Sequence, residues 1–371
     1  MNNPKIVFCH LLNDNSGSPR VLVSTIKALG GIEAGNLLYL GSQGRGILET
    51  TGIAPQRYWY RRSNYRIVTL VTYLLSQLHL YRALSRAHNI PADAVIYVNT
   101  LLPIGAALWG KRHRRRVVIH VHEASITPTP LRWLLTLCAR ISASQLIYVS
   151  TDHLQRLPLP GPLTTVIPNP INSEILTQAN TQPAHVSRTF NVLMLASLRT
   201  YKGINEFMLL AKELAVRDDI RFTLLLNEDR SKVMDFAEAH PESANVSLHP
   251  RTDHPGPFYQ KANLVLNLSR VDQCIETFGL TIVEAMSFGV PVIVPPIGGP
   301  AEIVTDGREG FCIDSRNINA LREAVITLAD NPAQMSAMSM AAKKRSQDFS
   351  FEQYAKRLNS IFSTLDHKDR I

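Results

Sequence analysis

At 371 residues, with 45% hydrophobic and 19% charged residues, the chain is too long for one ordinary core and too apolar to be disordered, so two globular domains are expected. The net charge of +9 is concentrated: residues 1–185 carry 18 Lys and Arg against 7 Asp and Glu, and the remainder 21 against 23. A basic first half suggests an anionic partner there: nucleic acid, an anionic membrane surface or a phosphorylated acceptor.

The chain enters an apolar run, Lys5–Leu12, almost at once and shows no secretory pattern. Its longest apolar stretch, Ile67–Tyr81, is interrupted by Gln77 and His79 and falls short of the ~20 residues of a membrane span. Four scattered cysteines (Cys9, Cys138, Cys274, Cys312) have neither CxxC nor metal-ligand spacing and read as small buried apolar residues. A cytoplasmic protein in a reducing compartment is expected.

Short β-branched runs alternate with helical patterns, the signature of βαβ units. Strands are expected at 5–11, 36–40, 94–98, 117–121 and 146–149, and helices at 19–29, 66–87, 102–110 and 130–142. Thr165–Pro170 reads as a short strand stopped by prolines, and the polar, aperiodic segment 173–188 as the inter-domain linker. A second series follows: strands at 190–196, 220–226, 245–248, 263–267 and 290–294, with helices at 203–216, 230–239 and 279–288. The fold expected is α/β, two doubly wound, parallel-sheet, Rossmann-like domains (1–180 and 181–371) facing across a cleft. The stripe Phe349, Phe351, Tyr354, Leu358 and Phe362 gives a last helix near 350–365 that closes the fold and packs back on the first domain.

The segment Gln273–Gly289 (QCIETFGLTIVEAMSFG) carries the most chemistry. Glu276 precedes a helix and Glu284 lies two turns inside it; Thr277 is a candidate cap, and Gly279 allows close backbone approach to a ligand. A helix N-terminus suits a diphosphate, and a flanking carboxylate suits sugar hydroxyls. Read from the residues alone, both glutamates are equally well solvated surface groups. Arg199 and Lys202, after the strand at 190–196 and before Gly203, can stabilise charge developing on a diphosphate leaving group.

Glu276-x7-Glu284, with Phe278-Gly279-Leu280 inside it, resembles the E-x7-E motif of family 4 retaining glycosyltransferases of GT-B fold. Gly298-Gly299-Pro300-Ala301-Glu302, Asp306-Gly307-x-x-Gly310 and Leu195–Gly203 are similar to further segments of that family, and so are Tyr148-Val149-Ser150 and Ile167-Pro168-Asn169-Pro170, with Pro170 in the place of a glycine. The resemblance covers roughly 5–315 and is strongest from 190. It implies Arg199 and Lys202 on the donor diphosphate, Glu276 on sugar hydroxyls, Glu284 on the nucleotide ribose, and Phe278, Gly279 and Leu280 along the donor. In the first half it implies donor contacts at Gly17 and Ser18, in a loop where the family has two glycines. It also implies a catalytic His122 facing the sugar. Glu123 and Asn15 are candidate acceptor residues, Glu123 alternatively orienting the His122 ring.

The resemblance implies a metal-independent hexosyltransferase that retains anomeric configuration and uses a nucleotide-sugar donor with a glycan or lipid-linked acceptor, in bacterial surface polysaccharide (O-antigen, lipopolysaccharide or capsule) synthesis. The chain has no D-x-D, H-E-x-x-H or Cys/His cluster, so no metal and no cofactor is expected. Nucleic-acid binding lacks any supporting motif. An epimerase, a phosphorylase or a non-catalytic nucleotide-sugar-binding module has the same architecture and stays open. Arg57–Arg66, which mixes arginines with Tyr58, Trp59, Tyr60 and Tyr65 ahead of a helix, and the basic run Lys111–Arg116 suit either an anionic membrane surface or a solvated loop.

Overall fold

The computed structural model describes residues 5–181, 189–241 and 244–367. They divide into two compact units: one runs to Pro170 and resumes at Phe351, the other is Ile171–Ser350.

In the first unit the elements are β1 (Ile6–His10), α1 (Gly17–Ala28), β2 (Leu37–Gly41), β3 (Gln56–Tyr58), α2 (Arg66–Arg86), β4 (Val95–Asn99), α3 (Ile104–Arg112), β5 (Val117–Val121), α4 (Thr129–Ser142), β6 (Gln145–Tyr148), α5 (Thr151–Arg156) and β7 (Leu163–Val166). The second unit contains α6 (Ser173–Thr181), β8 (Phe190–Ala196), α7 (Ile204–Glu213), β9 (Ile220–Leu226), α8 (Arg230–Glu238), β10 (Val246–His249), α9 (Gly256–Lys261), β11 (Leu264–Leu266), α10 (Leu280–Ser287), β12 (Val292–Val294), α11 (Gly299–Ile303), β13 (Gly310–Cys312), α12 (Ile318–Asp330) and α13 (Pro332–Ser346). Helix α14 (Phe351–His367) belongs to the first unit.

The first sheet has the order β3-β2-β1-β4-β5-β6-β7 and the second β10-β9-β8-β11-β12-β13. Every pairing between neighbouring strands in both sheets is parallel. Parallel strands are covered on both faces, which is why β1, β4 and β5 are buried at every residue. In each sheet the strand order reverses beside the first strand, at β1/β4 and at β8/β11. Such reversals leave a crevice beyond the carboxyl ends of the strands.

Two expectations change. Residues 173–181 form α6 instead of an open linker, because Ile175 and Ala179, one turn apart, are buried; residues 182–188 of that expected linker lie outside the described residues. The boundary between compact units falls after Pro170, with α6 packed in the second unit. Within the first unit α14 packs on α1, with Thr25 Oγ1 and Tyr354 OH 2.6 Å apart. The Phe362 ring stacks near Tyr97 at 6.5 Å. No helix among the described residues is long and apolar enough to cross a membrane.

Candidate functional site

At the β8/β11 reversal the chain leaves β8 through a single 3-10 turn, Thr200–Lys202, that ends at Gly203 in the left-handed region (φ 76°). Glycine is required there twice over: a Cβ would also stand 2.1 Å from the Leu268 carbonyl oxygen. That tight approach brings the turn onto the segment following β11. The Lys202 ammonium pairs with Glu276 Oε1. Ser269 Oγ donates to the same oxygen at 2.6 Å, and Asn267 Nδ2 donates to Oε2 at 2.9 Å.

The Glu276 side chain is 13% exposed and that of Lys202 28%. Burial alone would raise the Glu276 carboxyl, but the Lys202 charge and the bonds from Lys202, Ser269 and Asn267 outweigh it and hold the group below the ordinary carboxylate range. Burial likewise opposes the Lys202 charge, and Glu276 more than restores it. The site therefore keeps an ionised carboxylate and an ammonium together at the carboxyl edge of the sheet.

Two glycines fix this loop. Gly299 N donates to Glu276 O at 2.9 Å, and a Cβ on Gly299 would stand 2.2 Å from Thr277 O. A Cβ on Gly298, at φ 87°, would stand 2.7 Å from Glu276 O. Helix α10 then starts at Leu280 with Gly279 (φ 152°), not Thr277, in the N-cap position and no side-chain cap. The first-turn N–H groups of a helix have no intrahelical acceptor. Those of α10 therefore begin just past the Glu276 loop.

The remaining donor candidates differ in setting. Arg199 is exposed before the turn and takes no part in the Glu276 cluster; its charge acts on Glu228 and Lys232. Glu284 is 5% exposed and accepts from the OH of fully buried Tyr259 at 2.8 Å. The Phe278 ring is buried against Phe349. In the Asp306–Gly310 turn, Asp306 Oδ1 accepts from Cys312 N at 2.8 Å, and Gly310 leaves no room for a Cβ beside Val292 O; the turn anchors β13.

The β1/β4 reversal of the first unit gathers a second polar set. Asn99, the last residue of β4, is its centre: Oδ1 lies 3.1 Å from His122 Nε2, and Nδ2 donates to Ser18 O at 3.1 Å. His10 Nδ1 lies 3.2 Å from both the carbonyl and the amide nitrogen of Asn99. The His120 and His122 rings are 4.2 Å apart, and Tyr97 OH meets His120 Nδ1 at 2.7 Å. Burial, reinforced by the neighbouring histidines, pushes His122 well below its ordinary value and His120 down to about 3. Both rings are neutral at pH 7, so His122 Nε2–H donates to Asn99 Oδ1.

Glu123 fixes backbone: Oε1 accepts from Leu101 N at 2.7 Å and Oε2 from His122 N at 3.1 Å. Burial raises its carboxyl, partly offset by these bonds and one from Thr100. Thr100 is a non-glycine residue at positive φ (75°), a conformation held by this carboxylate and by Thr100 N donating to His120 O. Helix α1 begins at Gly17, with Ser16 in the N-cap place. Gly17 is exposed and Ser18 half-buried in its first turn, and the Asn15 carbonyl accepts from Arg20 Nε at 3.0 Å.

Asn99, Asn267, Ser269 and Tyr259 escaped the sequence reading. The available signal was a polar residue closing a buried apolar strand, as in Val95–Asn99 and Leu264–Asn267. Among the described residues no group of three or more His, Cys, Asp or Glu side chains forms a metal-holding cluster.

Residues 178–345 match the family model described as Glycosyl transferases group 1. This segment, a little under half of the chain, contains Arg199, Lys202, Glu276, Glu284 and the Gly298–Gly299 turn. Over 195 residues the chain is 29% identical to poly(glycerol-phosphate) alpha-glucosyltransferase of Bacillus subtilis, covering 51% of this chain and 28% of that protein. Over 119 residues it is 30% identical to D-inositol 3-phosphate glycosyltransferase 1 of Catenulispora acidiphila, covering 32% and 28%. The matches thus span little more than a quarter of the length of these curated relatives. A solved structure, Anabaena HepE in complex with UDP, is similar over 97% of this chain and 100% of its own, with TM-score 0.77 and 22% identity. The fold is GT-B, two Rossmann-like parallel sheets.

Proposed function

We propose that the chain is a retaining glycosyltransferase that takes a sugar from a nucleoside diphosphate sugar bound in the second unit and passes it to a glycan or lipid-linked glycan hydroxyl. The observation that carries this reading is the Lys202–Glu276 pair with Asn267 and Ser269 at the β8/β11 reversal, inside the segment that matches the glycosyl transferases group 1 model. A carboxylate with its position fixed by three donors suits sugar hydroxyls. The adjoining ammonium, the exposed Arg199 and the N-terminus of α10 suit a diphosphate.

In the reaction the bond between the sugar's anomeric carbon and the diphosphate oxygen breaks, and a bond from that carbon to the acceptor oxygen forms on the same face. The acceptor proton passes to the departing phosphate oxygen. Lys202 and Arg199 stabilise the charge left on the diphosphate, and His122, neutral and aimed by Asn99, is the candidate sugar contact from the first unit. Glu276 is a poor covalent nucleophile, because Lys202, Ser269 and Asn267 already occupy its oxygens. Glu284 meets the ribose by sharing its carboxylate with Tyr259.

The two cations and the helix terminus supply the charge that a divalent ion supplies elsewhere, so transfer is expected without metal. The bacterial relative acting on poly(glycerol phosphate) favours a surface-polymer acceptor, and the UDP complex of the structural neighbour makes UDP-sugars the first donors to try. Release of nucleoside diphosphate from a panel of donors, with and without chelator, tests the reading. Turnover abolished by chelator and restored by magnesium or manganese would remove the metal-free part; no donor accepted by the folded protein would remove the whole.

A further inference from the structure

Helix α2 is fixed to the first unit by its inner face. Tyr73 OH donates to Leu102 O at 2.7 Å, Gln77 Oε1 accepts from Gly105 N at 3.1 Å, and Leu80 and Leu84 are fully buried. A Cβ on Gly105 would stand 2.3 Å from Gln77 O, so α2 and α3 are in backbone contact. With that face inward, the opposite face of an ordinary surface helix is polar. Here it is aliphatic: Ile67, Val68, Val71, Leu74, Leu75 and Leu78 are all exposed, Ile67 at 79% and Leu78 at 52%. Their spacing makes one continuous stripe, roughly 16 Å long at the helical rise. Tyr65, also exposed, lies at its beginning, and the exposed Trp59 ring packs 5.5 Å from His79, beside its far end. Eight of the seventeen exposed large hydrophobic side chains among the described residues fall between 59 and 78. That concentration is a patch, not the scatter expected of a solvent surface.

The charge around the patch is of one sign. No Asp or Glu occurs from residue 50 to 92, a stretch that holds Arg57, Arg61, Arg62, Arg66, Arg82 and Arg86. Arg57 pairs with Glu49; Arg61, Arg62 and Arg66 are exposed with no ion pair among the described residues. Arg66 opens α2, where a cation opposes the helix dipole, and the Arg61 carbonyl accepts from Thr72 Oγ1 further along the helix, so helix stability does not account for them. A second copy of the chain seated symmetrically here would bring two acid-free arginine clusters together. An anionic bilayer offers both what the aliphatic stripe and what the arginines lack.

We infer that the outer face of α2, with Trp59, Tyr65, Arg61, Arg62 and Arg66, docks on an anionic lipid surface. Because α2 follows β3, its arginine-bearing end lies at the carboxyl edge of the first sheet, the edge that carries Asn99 and His122. The inference stands apart from the transfer reading and its test involves no donor.

The full chain is sedimented with phosphatidylcholine vesicles with and without phosphatidylglycerol, at low and high salt. Binding is expected to the anionic vesicles at low salt and to weaken at high salt. Neutralising Arg61, Arg62 and Arg66 to Gln weakens it about fivefold per residue, on the order of 100-fold together. Ile67→Glu with Leu78→Glu abolishes it; both positions are exposed, so melting stays that of the wild type. Equal recovery with neutral vesicles, or none with either, overturns the inference. So does a dimer in lipid-free solution that Ile67→Glu with Leu78→Glu dissociates, since a second copy then covers the face.

Discussion

The Lys202 ammonium is paired with the Glu276 carboxylate, so in this state the cation proposed for the donor diphosphate is held by the carboxylate proposed for the sugar. Diphosphate binding has to draw Lys202 from that partner. Glu276→Gln removes the competition: affinity for a nucleoside diphosphate alone rises several-fold, measured by calorimetry. Turnover with the complete donor falls about 100-fold or more, because the sugar loses its fixed acceptor. The two effects have opposite signs, which a generally misfolded variant does not reproduce.

Gly299→Ala places a Cβ 2.2 Å from Thr277 O and costs about 1–3 kcal/mol by overpacking. The displaced loop carries Glu276, so donor affinity suffers as well as stability. Gly307→Ala is the control. At φ 76° with nothing nearby, it costs about 1–2 kcal/mol of backbone strain and leaves donor affinity unchanged.

Asn99→Ala removes the acceptor that fixes His122 Nε2–H, together with the amide that holds Ser18 O. A fall in kcat/KM of about 10-fold to 100-fold is expected, with a stability loss of about 1–2 kcal/mol. A purely structural role for Asn99 would lower the melting temperature and leave kcat/KM of the folded enzyme intact.

His10, His120, His122 and His153 are all held below their ordinary values, chiefly by burial. The unfolded chain takes up these protons near pH 6.5 and the folded chain does not. Stability is therefore full above that pH and drains as pH falls toward the folded values. With its folded value about 3, His120 alone contributes a loss of about 2 kcal/mol between pH 7.5 and pH 5. Glu123, raised by burial, works in the opposite direction but is one group against four. Thermal melts across this range should show the slope, and His120→Gln should flatten it.

The second-unit site was the more legible half. Gly203, Gly279 and the Gly298–Gly299 pair mark places where backbone meets backbone, and Lys202 and Glu276 flank them at strand ends. Their common neighbours were hidden, because Asn267 and Ser269 reach Glu276 through tertiary packing. Glu123 stood correctly at a strand end, yet its role depends on Leu101, a neighbour only in the folded sheet. Strand β3 (Gln56–Tyr58) was missed because two of its three residues are exposed at a sheet edge. The stripe of α14 was visible, whereas the surface it covers was fixed only by Tyr354 and Phe362 meeting Thr25 and Tyr97.

A donor site at this strand end is tested by titrating nucleoside diphosphates and their sugars into the full chain and into Arg199→Ala. Arg199 is exposed and outside the Glu276 cluster, so the variant should melt like the wild type. One nucleotide is predicted to bind the wild type and to bind Arg199→Ala at least about tenfold more weakly, as expected for a lost charge-assisted pair. No binding to the folded wild type, or equal binding to both, would contradict a donor site at this strand end.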